Sequence, residues 1–182
     1  MPITQPKTFA WRHDALCLIN KDSGFTLIEV LISTLVLAVG LLGLAGLQAA
    51  SIKNNLSAYN RSQATQLAYD MADRMRANKN ESLDPATGNV IAAGTYLTVT
   101  MAPATAAAQS GCTTTTGCTG AQMAQNDLFQ WNAALTGTLP SGTGTITVVA
   151  ATRVFTITVN WDDNRDGAVN ASDPNFSVSF QL

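Results

Sequence analysis

The chain has 182 residues, enough for one domain with an appendage. Apolar residues make up 46%, sufficient for a core, whereas charged residues are sparse at 12%. A formal net charge of −2 gives no basic excess of the kind that marks nucleic acid as a main partner.

Residues 1–24 form a polar leader carrying Lys7, Arg12 and Lys21. The run "GFTLIEVLISTLVLAVGLLGLAGL" (Gly24 to Leu47) follows, and its only charge is Glu29. From Phe25 to Leu47 an α-helix would be about 35 Å long, and a hydrocarbon core is about 30 Å thick. The basic residues of the leader place the N-terminus in the cytoplasm and the rest across the membrane. A secretory signal peptide is the competing reading, with "LQAAS" at 47–51 as its cleavage point. Its apolar region is usually about 7–15 residues, shorter than this run. A carboxylate inside a bilayer costs a few kcal/mol, so Glu29 needs a partner. A pore or transporter carboxylate would need other membrane segments, and the sequence shows none.

Gly24-Phe25-Thr26-Leu27-Ile28-Glu29, behind a polar leader and ahead of a long apolar run, resembles the processing site of type IV prepilins and pseudopilins. The resemblance implies cleavage after Gly24 by a prepilin peptidase, methylation of the new N-terminal Phe25, and a pairing role for Glu29. Cleavage would create an ammonium group at Phe25, and opposite charges attract strongly in a low dielectric. The segment from Gly46 to Lys79, above all "RSQATQLAYDMADRMRAN" (Arg61 to Asn78), resembles the minor pilins of the PilV group. The fold this implies is α+β: a long N-terminal α-helix, membrane-spanning in its first half, packed on a C-terminal antiparallel β-sheet. Its divisions are a cleaved leader (1–24), a membrane and filament-core half-helix (25–48), an amphipathic half-helix (49–79) and a periplasmic domain (80–182). Partners implied are other minor and major pilins, the peptidase, the inner-membrane assembly machinery and the membrane, with no cofactor required. Many major pilins kink this helix with a proline. Here Gly40, Gly43 and Gly46 stand instead, each costing about 1 kcal/mol of helix propensity. They allow bending, local melting or close helix packing.

Beyond the apolar run, Ile52, Leu56, Tyr59, Gln63, Leu67, Met71 and Met75 step by three or four, widened by Ala68 and Ala72. That spacing predicts an amphipathic helix packed on its own sheet. Residues 94–101, "GTYLTVTM", read as a strand, and 102–120 as a low-complexity surface loop. "AQMAQNDLFQWNAAL" reads as a helix burying Ala124, Leu128, Trp131 and Leu135, with Gly137 ending it. Trp131 reads as a core anchor, with ligand stacking as the alternative. "TITVVA", "RVFTITVNW" and "NFSVSFQL" alternate apolar and polar residues and predict three antiparallel strands.

Cys17 falls in the leader, leaving Cys112 and Cys118 in a polar loop. In an exported domain they predict a disulfide. Two thiols are too few for a closed zinc site, and redox catalysis would want C-x-x-C spacing. "DDNRDGAVNASD" (Asp162 to Asp173) matches the order of a calcium loop. Asp162, Asn164 and Asp166 take positions one, three and five; Gly167 takes the sharp turn; Ala168 offers its carbonyl; Asn170 and Asp173 complete the set. The order resembles the calcium loops of dockerin modules. The closing residue is Asp where Glu is usual, and a polar hairpin tip uses the same residue types.

An enzyme is not expected. The one histidine, His13, lies in the leader, and no nucleophile–base constellation appears. Beyond residue 24 there are seven basic and ten acidic residues. That balance opposes phosphate-backbone binding despite the local group Arg74, Arg76 and Lys79. A pseudopilin of a type II secretion system remains the alternative to a pilus component.

Overall fold

The computed structural model describes residues 24–98, 106–115 and 117–182. The expectations for Lys7, Arg12, His13, Cys17 and Lys21, and for residues 99–105 and 116, lie outside these. The chain divides into two compact units, Met1–Leu47 and Gln48–Leu182.

In the first unit, helix α1 (Leu27–Ala77) begins and runs without interruption through Gly40, Gly43 and Gly46. A Cβ at any of the three would meet nothing within 4 Å. The large apolar side chains of this half are exposed, Phe25 at 83% and Leu42 at 74%. The helix is long and apolar enough to cross a membrane.

The second unit is a helix-and-sheet sandwich. Strands β1 (Thr143–Val149), β2 (Val154–Asn160) and β3 (Asn175–Gln181) form an antiparallel sheet in the order β1-β2-β3. Register sets the two faces. Val148, Phe155 and Phe180 align on the inner face, as do Ile146, Ile157 and Val178. The outer face carries hydroxyls: Thr156 pairs with Ser179 and Thr158 with Ser177, both at 2.8 Å. Phe155, Ile157 and Val159 are fully buried with Ala64, Ala68, Met71, Ala72 and Met75 of α1 and with α3 (Gly120–Thr138). The alanines recur every fourth residue, so the buried face of α1 is thin where its neighbours approach. Trp131 of α3 is fully buried, and its Nε1 donates to the Leu67 carbonyl on α1 at 2.9 Å. It is the core anchor that its helical spacing predicted.

Three expectations need correction. The stripe on α1 is buried only from Asn60 onward, while Ile52, Leu56 and Tyr59 remain 67%, 38% and 55% exposed. Helical period identifies a face but not where the covering sheet ends. Residues 95–98 form a one-turn helix, α2 (Thr95–Thr98), rather than the first part of a strand. The Glu81 carboxylate accepts from both the amide and the hydroxyl of Thr95, at 3.2 and 2.8 Å, capping that turn. Gly137 does not end α3. The helix continues to Thr138 and is closed by Leu139, extended at φ −110° and ψ 139° before Pro140. Proline disfavours helical backbone in the residue it follows.

Candidate functional site

Glu29 is the third residue of α1. Thr26 stands before the helix and accepts from the Glu29 amide with its hydroxyl at 3.3 Å and with its carbonyl at 3.1 Å. The carboxylate therefore lies in the first turn, where the helix dipole favours negative charge. Ser33 donates its hydroxyl to the Glu29 carbonyl at 2.7 Å, and Thr34 donates to Leu31 at 2.9 Å. Both hydroxyls are thereby satisfied within the helix, as apolar surroundings require. Among the described residues the Glu29 carboxylate has no ion-pair partner. Phe25, Val30 and Leu37 flank it in a shallow groove. A Cβ at Gly24 would meet nothing within 4 Å, so packing supplies no reason for glycine there.

At the other end of α1 lies a polar network that the sequence reading did not find. Asp127 on α3 is 6% exposed. It accepts from the Tyr96 hydroxyl at 2.7 Å and from Arg74 Nη1 at 3.1 Å. Asn78 donates to Tyr96 at 3.3 Å and to the Gly120 carbonyl at 2.8 Å. The end of α1, α2 and the start of α3 are thus joined through side chains. Burial, and then the Asp127 hydrogen bond, push the Tyr96 hydroxyl well above the ordinary tyrosine range. Burial opposes the charge on Arg74, yet Asp70 and Asp127 together hold its pKa above the usual value. Arg76 pairs with Asp73 at 2.7 Å and lies 4.9 Å from the centre of the Phe180 ring. Two of the three residues in the local basic group, Arg74 and Arg76, are therefore engaged in ion pairs within the chain.

Cys112 and Cys118 form the expected disulfide. It leads directly into Thr119, the N-cap of α3, which accepts from the Gln122 amide while Gln122 accepts from the Thr119 amide. This capping box was written in the sequence as T-x-x-Q and is the signal that fixes the start of the helix.

The aspartate-rich loop folds on its own amides. Asp162, 2% exposed, accepts from Asp166 at 3.2 Å and Gly167 at 2.8 Å. Asn164 accepts from Asp166 at 2.8 Å, and Asp166 accepts from Ala168 at 3.0 Å. Asp173 accepts from Asn170 at 2.9 Å, and the Asn170 side chain reaches both Asp166 and the Ala168 carbonyl. The Ala168 amide, followed by Asn164 and Asn170, holds the Asp166 carboxyl below the usual range. Gly167 has φ +94°, a conformation suited to glycine. Among the described residues, no three acidic or other metal-ligating side chains are gathered into one cluster. Asp163, at an even position, turns the other way. Its Oδ1 accepts from Trp161 Nε1 at 3.1 Å and from the buried Asn60 of α1 at 3.5 Å.

A family model described as type IV pilin Tt1218 matches residues 46–129. A second, described as the prokaryotic N-terminal methylation motif, matches residues 19–45. No curated protein and no solved structure gives a significant match.

Proposed function

The chain belongs to the type IV pilins, a structural and not an enzymatic family, and from that premise we propose that it is a minor pilin of the PilV kind. Its role is to prime or enter pili at low copy, supporting pilus biogenesis, twitching and adhesion. The observation that carries this reading is the methylation motif at 19–45, set at the start of a 51-residue helix able to cross a membrane. The finer assignment rests on the likeness of Arg61 to Asn78 to PilV proteins. A pilin with this motif implies processing by prepilin peptidase and assembly with other pilins. We assign the cut to Gly24–Phe25 and the methyl group to the Phe25 amine. The leader then lies in the cytoplasm, the helix in the inner membrane and the domain in the periplasm.

In this reading the cut creates the cation that Glu29 lacks. The ammonium of Phe25, on the same or a neighbouring subunit, sits within the same apolar layer as the carboxylate. Breaking a buried ion pair by removing one partner costs about 3–5 kcal/mol. Glu29→Ala therefore inserts in the membrane and assembles poorly. N-terminal analysis of the mature protein tests the processing: the expected start is methylated Phe25, and a start near Ala50 or Ser51 overturns it. Loss of twitching with secretion intact in a deletion strain supports a pilus component. The reverse assigns the chain to a type II secretion pseudopilin.

We also propose that the 162–173 loop takes calcium weakly. The order of its oxygen donors and the left-handed Gly167 support this reading.

A further inference from the structure

We propose that the cleft between the disulfide-closed turn and α3 binds a neutral sugar ring. The inference goes beyond the pilin reading above and rests on the second unit alone. One wall is the short turn Ser110–Thr113 with Gln109 just before it. The other is one face of α3, where Asn126, Phe129 and Gln130 are spaced by three and four residues. The cleft has a volume of about 270 Å³, just below the roughly 300–1,000 Å³ of pockets for drug-sized ligands. It therefore suits one ring rather than an extended chain. The two walls are tied together. Asn126, 7% exposed, accepts with its Oδ1 from the Gln109 amide at 3.2 Å, and the Gln109 side chain donates to Gln125 on α3 at 2.8 Å. The Cys112–Cys118 bridge holds the turn beside the N-terminal cap of α3.

Charge and hydrogen bonding select the ligand. Among the described residues, no ionisable side chain lines the cleft, so a charged ligand would lose water there without gaining a counter-charge. Donors and acceptors are instead mixed. Gln130 accepts from Arg74 with its Oε1 at 2.9 Å, which leaves its amide N–H groups to donate. Gln109 spends an N–H on Gln125, which leaves its side-chain carbonyl to accept. Thr113 donates its hydroxyl to the Ser110 carbonyl at 3.0 Å and keeps its lone pairs for a ligand. Phosphates and carboxylates only accept, and ammonium groups only donate, so neither matches this set. A hydroxyl does both. Phe129 stands beside the amides of α3 and is 40% exposed, whereas Leu128, Trp131 and Leu135 of the same helix are fully buried. The face of its ring is electrostatically negative and suits the weakly positive C–H groups of a sugar's apolar face. A neutral sugar combines that face with a rim of hydroxyls that donate and accept.

The test uses the full chain in lauryldimethylamine oxide micelles, because a glycoside detergent would compete for the cleft. Saturation-transfer NMR measures the methyl glycosides of glucose, galactose, mannose, N-acetylglucosamine and N-acetylgalactosamine. Those of glucuronate and N-acetylneuraminate serve as charged controls. The expected result is at least one neutral glycoside bound with a Kd of about 1 mM, as ligand efficiency sets for so small a ligand. The charged controls bind about tenfold more weakly. Phe129→Ala weakens binding about tenfold through loss of the stacked ring. Phe129→Leu, which keeps most of the apolar volume, weakens it likewise, while Phe129→Tyr retains it. No saturation transfer to any neutral glycoside, equal binding of the charged controls, or unchanged affinity in Phe129→Leu overturns the proposal. So does a dimer of the chain that Phe129→Ala dissolves, since the cleft would then be an interface between copies.

Discussion

Asp127→Ala tests whether the polar network is a structural joint or an incidental surface feature. The substitution removes the acceptor of two side chains with different exposures. The Tyr96 hydroxyl is buried, with the whole residue 2% exposed, and loses the acceptor it reaches at 2.7 Å. A buried donor left unsatisfied costs about 1–3 kcal/mol. Arg74 is different: its side chain is 29% exposed and keeps Asp70 at 2.9 Å. Water and Asp70 replace most of what Asp127 supplied, so this part contributes at most about 1 kcal/mol. The sum is about 1–4 kcal/mol, reaching the range of about 3–5 kcal/mol for a broken fully buried pair only at its upper end. Tyr96→Phe removes the donor while Asp127 keeps Arg74, and costs about 1 kcal/mol. Urea unfolding of the full chain in detergent micelles, followed by tryptophan fluorescence, measures both variants and their double. The expected coupling is about 1–2 kcal/mol, since the second substitution removes a bond already lost. An Asp127→Ala cost under about 1 kcal/mol, with the two changes additive, refutes the reasoning.

Tyr96 also gives a pH dependence. Its folded pKa is raised above the unfolded value near 10, so the contribution is full below pH 10. Above pH 10 the unfolded chain ionises first, and stability falls by up to about 1.4 kcal/mol per pH unit until the folded group titrates; Tyr96→Phe flattens this slope. Gly144→Ala costs about 1–3 kcal/mol by overpacking, because its Cβ would lie 2.7 Å from Trp131 Cζ3 and 2.9 Å from Leu135 Cδ1; a neutral effect on the melting temperature contradicts this. Cys112→Ser/Cys118→Ser lowers stability by roughly 2–2.5 kcal/mol, the chain-entropy value for so small a ring, read by chemical denaturation without reductant. Calcium at about ten times its Kd stabilises the chain by about 1.4 kcal/mol, and Asp162→Ala abolishes the shift; no calcium-dependent rise in Tm at millimolar levels ends that proposal.

The features legible in the sequence are those whose cause is local. Phe155, Ile157 and Val159 alternate with polar residues, and so do Phe176, Val178 and Phe180, because one face of a strand meets the core and the other meets water. Glu29 stands out in the sequence as the one charge in an apolar run, and the structure places it in the first turn of α1. The misreadings share a different cause. "GTYLTVTM" has strand-like composition, but Thr95 is capped by Glu81 and Tyr96 is claimed by Asp127, partners 14 and 31 residues away. Tertiary bonds of that kind override propensity. Asn60 was silent for the same reason, since its partner Asp163 is 103 residues distant. The Thr119 capping box was local, by contrast, and its T-x-x-Q spacing could have placed the start of α3.

Asn60 marks a change in what α1 must find around it. From Ala64 to Met75 the helix face is covered by the chain's own strands and α3. Before Asn60, Ile52, Leu56 and Tyr59 stay exposed, and so do the apolar side chains from Phe25 to Leu47. Isolated exposed apolar residues need no explanation, but a contiguous series marks an interaction surface or a membrane. A bilayer accounts for the run up to Leu47. It does not reach Tyr59, which lies twelve residues further along the helix, about 18 Å. The segment from Ile52 to Tyr59 therefore needs cover that neither the folded domain nor the hydrocarbon supplies. On the assembly reading proposed above, a neighbouring pilin supplies that cover, so Tyr59→Ala weakens assembly while leaving membrane insertion and domain stability unchanged.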